Sequence, residues 1–196
     1  MKKPIKMLLL CFAVGGMFLT SCKQDPKPED TKEVAEDQNE VKFDDTNDAK
    51  EDDSEYLVAA AETDLEEIEI GKLAKEKGTD PEVKKFGQML IDDHTKAAAT
   101  GKMAAEKRNI SLPTSITEKG KEAWNDLNKQ KAGKDFDMKF ADMMVDGHQK
   151  AIDKMKEASE KANDPEIRAW AGNMVPTLET HLGHAKMLQE TIKNKK

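Results

Sequence analysis

Apolar residues recur every three or four positions over long stretches of the chain, which is the spacing of one face of an α-helix. No stretch shows the strict alternation expected of a half-buried strand. Gly and Pro punctuation divides the pattern into five predicted helices, at 54–77, about 81–108, about 115–131, about 135–162 and about 165–193. We expect Asp80 and Asp164 to be N-caps, each followed by a helix-starting Pro, and Ser115 with Glu118 to form a capping box.

An internal repeat indicates how these helices are arranged. The string DPEVK at 80–84 recurs as DPEIR at 164–168, and each copy opens the second arm of a helical hairpin. The intervening segment, 109–133, is long enough to run the length of a bundle and make the two middle helices parallel. The sequence therefore predicts an all-α four-helix bundle of two helical hairpins, joined by a crossover with a short extra helix.

Three of the four histidines lie on the apolar stripes of three different long helices. These are His94, His148 and His181, while Glu67 lies at the edge of the first helix's stripe with Asp64 and Gly71. At ~1.5 Å per residue, the three histidines and Glu67 lie roughly 18–27 Å from the nearest hairpin turn. Packing the hairpins together would therefore bring them into one central layer. The stripe of the first helix itself is expected to comprise Leu57, Ala61, Ile68 and Ala74.

Imidazoles combined with a carboxylate are the donor set of a transition-metal site, and suit Zn, Fe, Cu or Mn. A buried hydrogen-bond network that fixes the helix register is the alternative interpretation. A further histidine shares a helix face with His181, and its His-x-x-Met spacing would favour copper, although Met is also ordinary core filler. The candidate ligands of one metal ion are therefore His94, His148, His181, Glu67 and His184.

The N-terminal segment, 1–22, has the pattern of a bacterial export signal. Three lysines precede a short apolar run at 7–19, which is too short to span a bilayer as a mature helix. The string LTSC at 19–22 resembles a lipobox, which implies that 1–21 is a lipoprotein signal peptide and that Cys22 carries lipid; an ordinary signal peptide is the alternative. Because Cys11 would leave with the signal, the mature domain would contain no disulfide and no thiolate metal site.

Charge is distributed unevenly along the chain, which carries 32 Lys+Arg against 39 Asp+Glu for a net charge of −7. Residues 23–53 hold 13 acidic residues and five lysines. Such a segment buries too little apolar surface to offset its ordering entropy, so 22–53 is expected to be a disordered tether before a nearly neutral domain at 54–196. The overall acidity argues against a nucleic-acid partner.

Five strings resemble a single bacterial family of ferritin-like proteins, of unknown function and often labelled "predicted outer membrane protein". They are EIEIGKLA (67–74), FGQMLIDDH (86–94), GKDFD (133–137), MVDGHQKA (144–151) and LETH (178–181). The resemblance spans about residues 54–190. It implies a ferritin-like bundle that is exported, often as a lipoprotein, with no established activity.

The sequence favours a membrane-anchored envelope lipoprotein of the outer membrane that binds one transition metal, for scavenging or stress protection. A structural or partner-binding module of the envelope is the alternative. A metal-dependent oxidoreductase is less favoured because it needs an open coordination position and a substrate channel, and the sequence shows neither. Di-iron ferritin-like sites use Glu-x-x-His. Here Ile91, Val145 and Leu178 occupy the position three before each core histidine, which argues against a di-iron centre.

Overall fold

The computed structural model describes residues 29–43 and 48–195, and within these ranges the chain is helical without any strand. The all-α bundle predicted from the sequence is therefore confirmed. The elements are α1 (Thr31–Phe43), α2 (Asp48–Lys77), α3 (Pro81–Glu106), α4 (Glu118–Asn128), α5 (Lys134–Lys161) and α6 (Pro165–Asn194). The long helices α2, α3, α5 and α6 form the bundle, and α4 is the short helix of the crossover.

Two helical hairpins, α2–α3 and α5–α6, make up the bundle, and each second helix starts as the repeat predicted. The Asp80 carboxylate accepts a hydrogen bond from the backbone N–H of Glu82 at 2.9 Å. The Asp164 carboxylate accepts the equivalent bond from Glu166 at 2.7 Å. Each cap satisfies an N–H at a helix start, where no preceding turn supplies an acceptor.

An aspartate from each hairpin holds the turn of the other hairpin. Asp137, near the start of α5, accepts hydrogen bonds from Thr79 N at 3.0 Å, Thr79 Oγ1 at 2.6 Å and Asp80 N at 2.9 Å. Asp53, near the start of α2, accepts from Asn163 N at 2.6 Å and Asp164 N at 2.7 Å. Since α5 starts beside the start of α3, these two middle helices run parallel, as the crossover length predicted.

Two glycines allow α2 and α3 to pack with their backbones in contact. A Cβ on Gly71 would lie 2.7 Å from the carbonyl oxygen of Gly87, and a Cβ on Gly87 would lie 2.7 Å from that of Gly71. Both separations are shorter than a side-chain carbon tolerates. The close contact lies on the face of α2 that also carries Glu67, one turn earlier.

The crossover helix α4 begins later than the capping-box pattern predicted. Thr117, rather than Ser115, is the N-cap, and its hydroxyl accepts the N–H of Gly120 at 3.1 Å. Thr117 is 3% exposed because it packs against α2, where its hydroxyl contacts Glu62. Tertiary contact therefore selects this threonine over the nearby serine. Leu127 of α4 is fully buried in the core.

Residues 31–43 form the helix α1, where the sequence predicted a disordered tether. One face of α1 docks on the bundle, since Ala35, Asn39 and Phe43 are buried. The Asn39 amide donates to Ser111 O at 3.0 Å and accepts from Ser111 N at 2.7 Å. Helix α2 also extends back to Asp48, inside the expected tether. Lys32 also pairs with Glu62 of α2 at 3.1 Å, and Lys42 donates to Asn109 O at 3.1 Å. Apolar, polar and charged contacts together therefore order this acidic segment, and average composition does not reveal them.

The buried face of α2 differs from the expected stripe. Ala61 and Ile68 are only half-buried, whereas Asp64, Glu67 and Gly71, expected at the edge, are buried. Polar residues thus occupy the inward face of α2 at mid-height. Apolar clusters fill the bundle on both sides of this layer, one containing Phe86, Phe136 and Phe140, the other Ile152, Met155 and Leu182.

The predicted signal peptide and Cys22 lie outside the described residues. Within residues 29–43 and 48–195, no helix has the length and apolar character needed to cross a membrane.

Candidate metal centre

Three buried histidines meet in the central layer of the bundle. We call His94 of α3, His148 of α5 and His181 of α6 the histidine triad; their exposed fractions are 3%, 1% and 1%. One ring nitrogen of each lies within 4.8 Å of those of the other two. The ring centroids are 5.2 to 5.9 Å apart. The structure thus brings together the three histidines that helical periodicity and depth placed in one layer.

Packing on both sides fixes the height of the triad. His148 lies one turn after Met144 and one turn before Ile152, which belong to the two opposite apolar clusters. The ring of Phe86 lies against the triad from one side, with its centroid 6.2 Å from that of His148 and 6.1 Å from that of His181. A tightly packed apolar frame therefore restricts the imidazole rotamers.

Each triad histidine uses one ring nitrogen for a hydrogen bond to an outer acceptor. His94 Nδ1 lies 2.8 Å from Asp64 Oδ1, and His181 Nε2 lies 3.1 Å from Asp93 Oδ2. His148 Nδ1 lies 2.8 Å from the carbonyl oxygen of Met144. Metal-binding histidines characteristically donate their second N–H to a carboxylate or carbonyl, which fixes the tautomer and orients the ring. All three histidines show this arrangement.

The outer bonds leave one nitrogen of each ring facing inward. The Met144 carbonyl can only accept, so His148 Nδ1 carries a proton and Nε2 carries a lone pair. By the same reasoning, donation from His181 Nε2 to Asp93 leaves a lone pair on His181 Nδ1. These two lone pairs lie on nitrogens 3.2 Å apart. Two neutral imidazoles in these tautomers have no proton to share, so the gap suits a cation.

Burial and neighbouring charges set the protonation states of the triad. Burial lowers the pKa of His148 and of His181 to about 4, so both are neutral near pH 7. For His94, burial also acts to lower the pKa, but the hydrogen bond with Asp64 and the nearby Glu67 carboxylate outweigh it and raise the pKa. Burial opposes ionisation of Asp93 too, yet hydrogen bonds from His181 and Lys96 lower its pKa overall.

Glu67 lies beside the triad rather than among its inward-facing nitrogens. Its Oε1 is 4.0 Å from His148 Nδ1, the nitrogen that bonds the Met144 carbonyl. Within the described part of the chain, Glu67 Oε2 is buried and has no hydrogen-bond partner. Burial raises the pKa of Glu67 to about 7; the charge of His94 acts to lower this pKa, and the charge of Asp64 acts to raise it.

His184, the fifth predicted ligand, is not brought to the triad. It lies on the outer side of Phe86, with ring centroids 6.0 Å apart, and lines a separate surface cavity with Met89 and Met187. His184 shares a helix face with His181 but lies one turn further along α6. This difference in depth is enough to place it beyond the Phe86 ring. The structure therefore does not group His184 with the other predicted ligands.

Sequence reasoning missed the roles of Asp64 and Asp93, which orient His94 and His181. Asp64 was noted only at the edge of a stripe. Asp93 directly precedes His94 in the chain and therefore points about 100° away on the helix, toward α6. Its partner belongs to another hairpin, so no local spacing could identify the contact; the only available signal was an acidic residue adjoining a core histidine.

Comparisons with known proteins identify a family and a related fold. Residues 38–188 match the model of a family described as a domain of unknown function, DUF4142. No curated protein matches the chain. Among solved structures, CopM in its Cu(II)-bound form is similar at a TM-score of 0.59 and 16% sequence identity, covering 71% of this chain and 96% of CopM. At this identity the likeness shows the fold alone.

Proposed function

This chain belongs to the DUF4142 family, a domain family of unknown function, and we propose that its bundle binds one transition-metal ion on the histidine triad. His94 Nε2, His148 Nε2 and His181 Nδ1 are the proposed ligand atoms. The outer hydrogen bonds to Asp64, Met144 and Asp93 would hold the three rings in the required tautomers.

The observation that carries the proposal is the pair of inward nitrogens on His148 and His181, 3.2 Å apart, in two rings whose other nitrogens bond the Met144 carbonyl and the Asp93 carboxylate. Two metal–nitrogen bonds of about 2.0–2.1 Å at a tetrahedral angle place their nitrogens roughly 3.4 Å apart. The observed separation is thus close to that of two ligands of one ion. One nitrogen of His94 lies within 4.8 Å of the other two, so binding requires His94 to approach them more closely to complete the set.

We propose copper(II) as the first candidate ion and zinc as its competitor. Imidazole nitrogens suit both metals, and the divalent order of affinity favours copper. The fold neighbour CopM is described in a Cu(II)-bound form, which supports testing copper first without transferring its ligands to this chain.

Equilibrium loading of the purified protein tests the proposal. After chelator treatment, we expect the chain to retain one Cu(II) per molecule on dialysis, with nitrogen hyperfine structure in its electron paramagnetic resonance spectrum. The His181→Leu variant should lose this ion, whereas His184→Leu, changed one turn further along α6, should retain it. Equal retention in the two variants, or no retained copper or zinc in the native chain, would refute the proposal; circular dichroism verifies that each variant is folded.

We also propose the finer features indicated by the sequence: a ferritin-like relationship, lipid on Cys22, and an outer-membrane location with a scavenging or stress role. The lipobox-like string at 19–22 and the preceding apolar run support the anchor. Mass spectrometry of the membrane-extracted protein should show diacylglycerol on its N-terminal cysteine. Recovery of an unmodified N-terminus would argue for an ordinary signal peptide.

A further inference from the structure

A cavity of about 330 Å³ leads into the bundle between α2 and α5 and reaches the triad. His94 and Glu67 belong to its lining, and Met174 and Leu178 of α6 form part of the opposite wall. Of the triad, only His94 is part of this lining. The cavity therefore approaches the proposed metal position from one side, while Phe86 closes another side.

Small residues keep the cavity open where α2 and α5 face each other. Ala59 and Ala60 of α2 line it opposite Gly147 and Ala151 of α5. A Cβ added to Gly147 would meet only Glu67 Oε1, at 3.4 Å, so even this position has space beside it. Larger side chains at these positions would fill the passage to His94.

Two buried polar atoms adjoin this cavity without a hydrogen-bond partner in the described part of the chain. They are His94 Nε2 and Glu67 Oε2, in residues that are 3% and 5% exposed. Buried polar atoms in folded proteins are nearly always bonded to protein, water or a ligand. Their positions therefore indicate that an ion or a small polar molecule reaches the triad through the cavity.

We infer that a metal ion on the triad keeps one coordination position open toward this cavity and takes a small exogenous anion there. This inference rests on the proposed function. Three histidines supply three neutral donors, and sites with three protein ligands characteristically hold water or substrate at the remaining position. Because the three imidazole ligands are neutral and the Asp64 and Asp93 carboxylates bond only their outer nitrogens, no anionic group among the proposed ligands balances the 2+ charge, and an anion is the favoured class of fourth ligand.

Charges along the cavity are compatible with an anion. Lys119, Lys150 and Lys154 belong to its lining, and of these Lys119 is paired with Glu62 and Lys154 with Glu157 at 3.7 Å. Two of the lining carboxylates are already engaged, because Glu62 pairs with Lys32 at 3.1 Å and Lys119 at 3.2 Å, and Asp64 bonds His94. Glu66 and Glu67 remain, and Glu67, whose Oε1 lies 4.0 Å from His148 Nδ1, is the carboxylate expected to compete with an external anion for the ion.

Azide titration of the Cu(II)-loaded protein tests the inference, using azide as the probe anion. We expect an azide-to-copper charge-transfer band and a changed paramagnetic resonance spectrum. Ala151→Phe, which fills the cavity one turn from His148, should weaken azide binding by about tenfold or more. Ala98→Phe is the matched control: it lies one turn from His94 but lines a different groove, and it should leave azide binding unchanged.

The outcomes separate this inference from the proposed function. Copper binding without any azide response would overturn the open position and leave the metal site standing. An azide band that appears only in Glu67→Gln would also overturn it, because it would show Glu67 to be the fourth ligand. Equal azide affinity in Ala151→Phe and Ala98→Phe would exclude this cavity as the route. Failure of the native chain to bind copper or zinc would refute both proposals together.

Discussion

The metal-free protein should become more stable when His148 is replaced by Leu. This substitution distinguishes a binding site from a structural hydrogen-bond network. In a network the imidazole would stabilise the metal-free fold, whereas in a binding site it would destabilise it. His148 is 1% exposed, and its Nδ1–H donates a hydrogen bond to the Met144 carbonyl. That carbonyl also accepts the helical N–H one turn along, so it stays bonded in the variant.

The magnitude follows from these contacts. Losing one hydrogen bond costs about 1 kcal/mol, whereas removing a buried acceptor nitrogen that has no donor recovers about 1–3 kcal/mol. Burying an apolar side chain in place of the imidazole adds to the gain. We therefore expect the free energy of unfolding to rise by about 2 kcal/mol, which corresponds to a Tm increase of roughly 4–8 °C for a chain of this size.

Urea denaturation and thermal melts in the presence of a chelator measure this effect, and repetition with Cu(II) completes the assay. His148→Leu should show no stabilisation by copper, whereas the native chain should gain about 2.7 kcal/mol at a free concentration about 100 times its Kd. His184→Leu serves as the control and should respond to copper as the native chain does. A loss of about 1 kcal/mol or more in the metal-free His148→Leu variant, the value of one hydrogen bond, would show that the imidazole stabilises the fold, and would refute this reasoning.

Two further predictions concern the bundle and its site. Asp137→Ala should lower the free energy of unfolding by about 3–5 kcal/mol, because three hydrogen bonds converge on this buried carboxylate and each is worth roughly 1.5 kcal/mol or more. Asp135→Ala, in the same helical turn but exposed, should cost less than about 1 kcal/mol in the same urea titration; equal losses would contradict the contact-based explanation. Copper affinity should fall as the pH is lowered, and the fall should begin above the ordinary histidine range, since the pKa of His94 is raised and its inward nitrogen must be unprotonated to bind. Calorimetry in two buffers of different ionisation enthalpy should therefore detect proton release, and identical heats in both would contradict it.

Much of the architecture could be predicted because it depends on local signals. Asp80 and Asp164 with their following prolines fixed two helix starts, and the long crossover implied parallel middle helices. The meeting of His94, His148 and His181 followed from helical periodicity and depth, two properties that straight helices preserve over many turns. Whether the triad binds metal is a separate question that the experiments above address.

Other features depend on tertiary contacts that local patterns do not encode. The contacts that order helix α1, among them those of Asn39, Phe43 and Lys32, are made to distant parts of the chain. The sequence predicted an apolar inward face for α2, whereas the observed face is polar at mid-height because Asp64 and Glu67 lie at the site. For Asp53 and Asp137 a signal did exist, because their separation along the chain equals that between the two Asp-Pro-Glu strings.

The reciprocal aspartates have a consequence for the kinetics of ion release. Parts of a folded protein can open while the rest stays folded, and such an opening at a buried site would release a bound ion. Here Asp53 accepts hydrogen bonds from the turn of the second hairpin, and Asp137 accepts them from the turn of the first hairpin. Detaching either hairpin therefore breaks these contacts at both ends of the bundle. Partial opening is therefore costly, and a bound ion would leave through the side cavity or by global unfolding. Its residence time would then report on cavity access instead of local fraying.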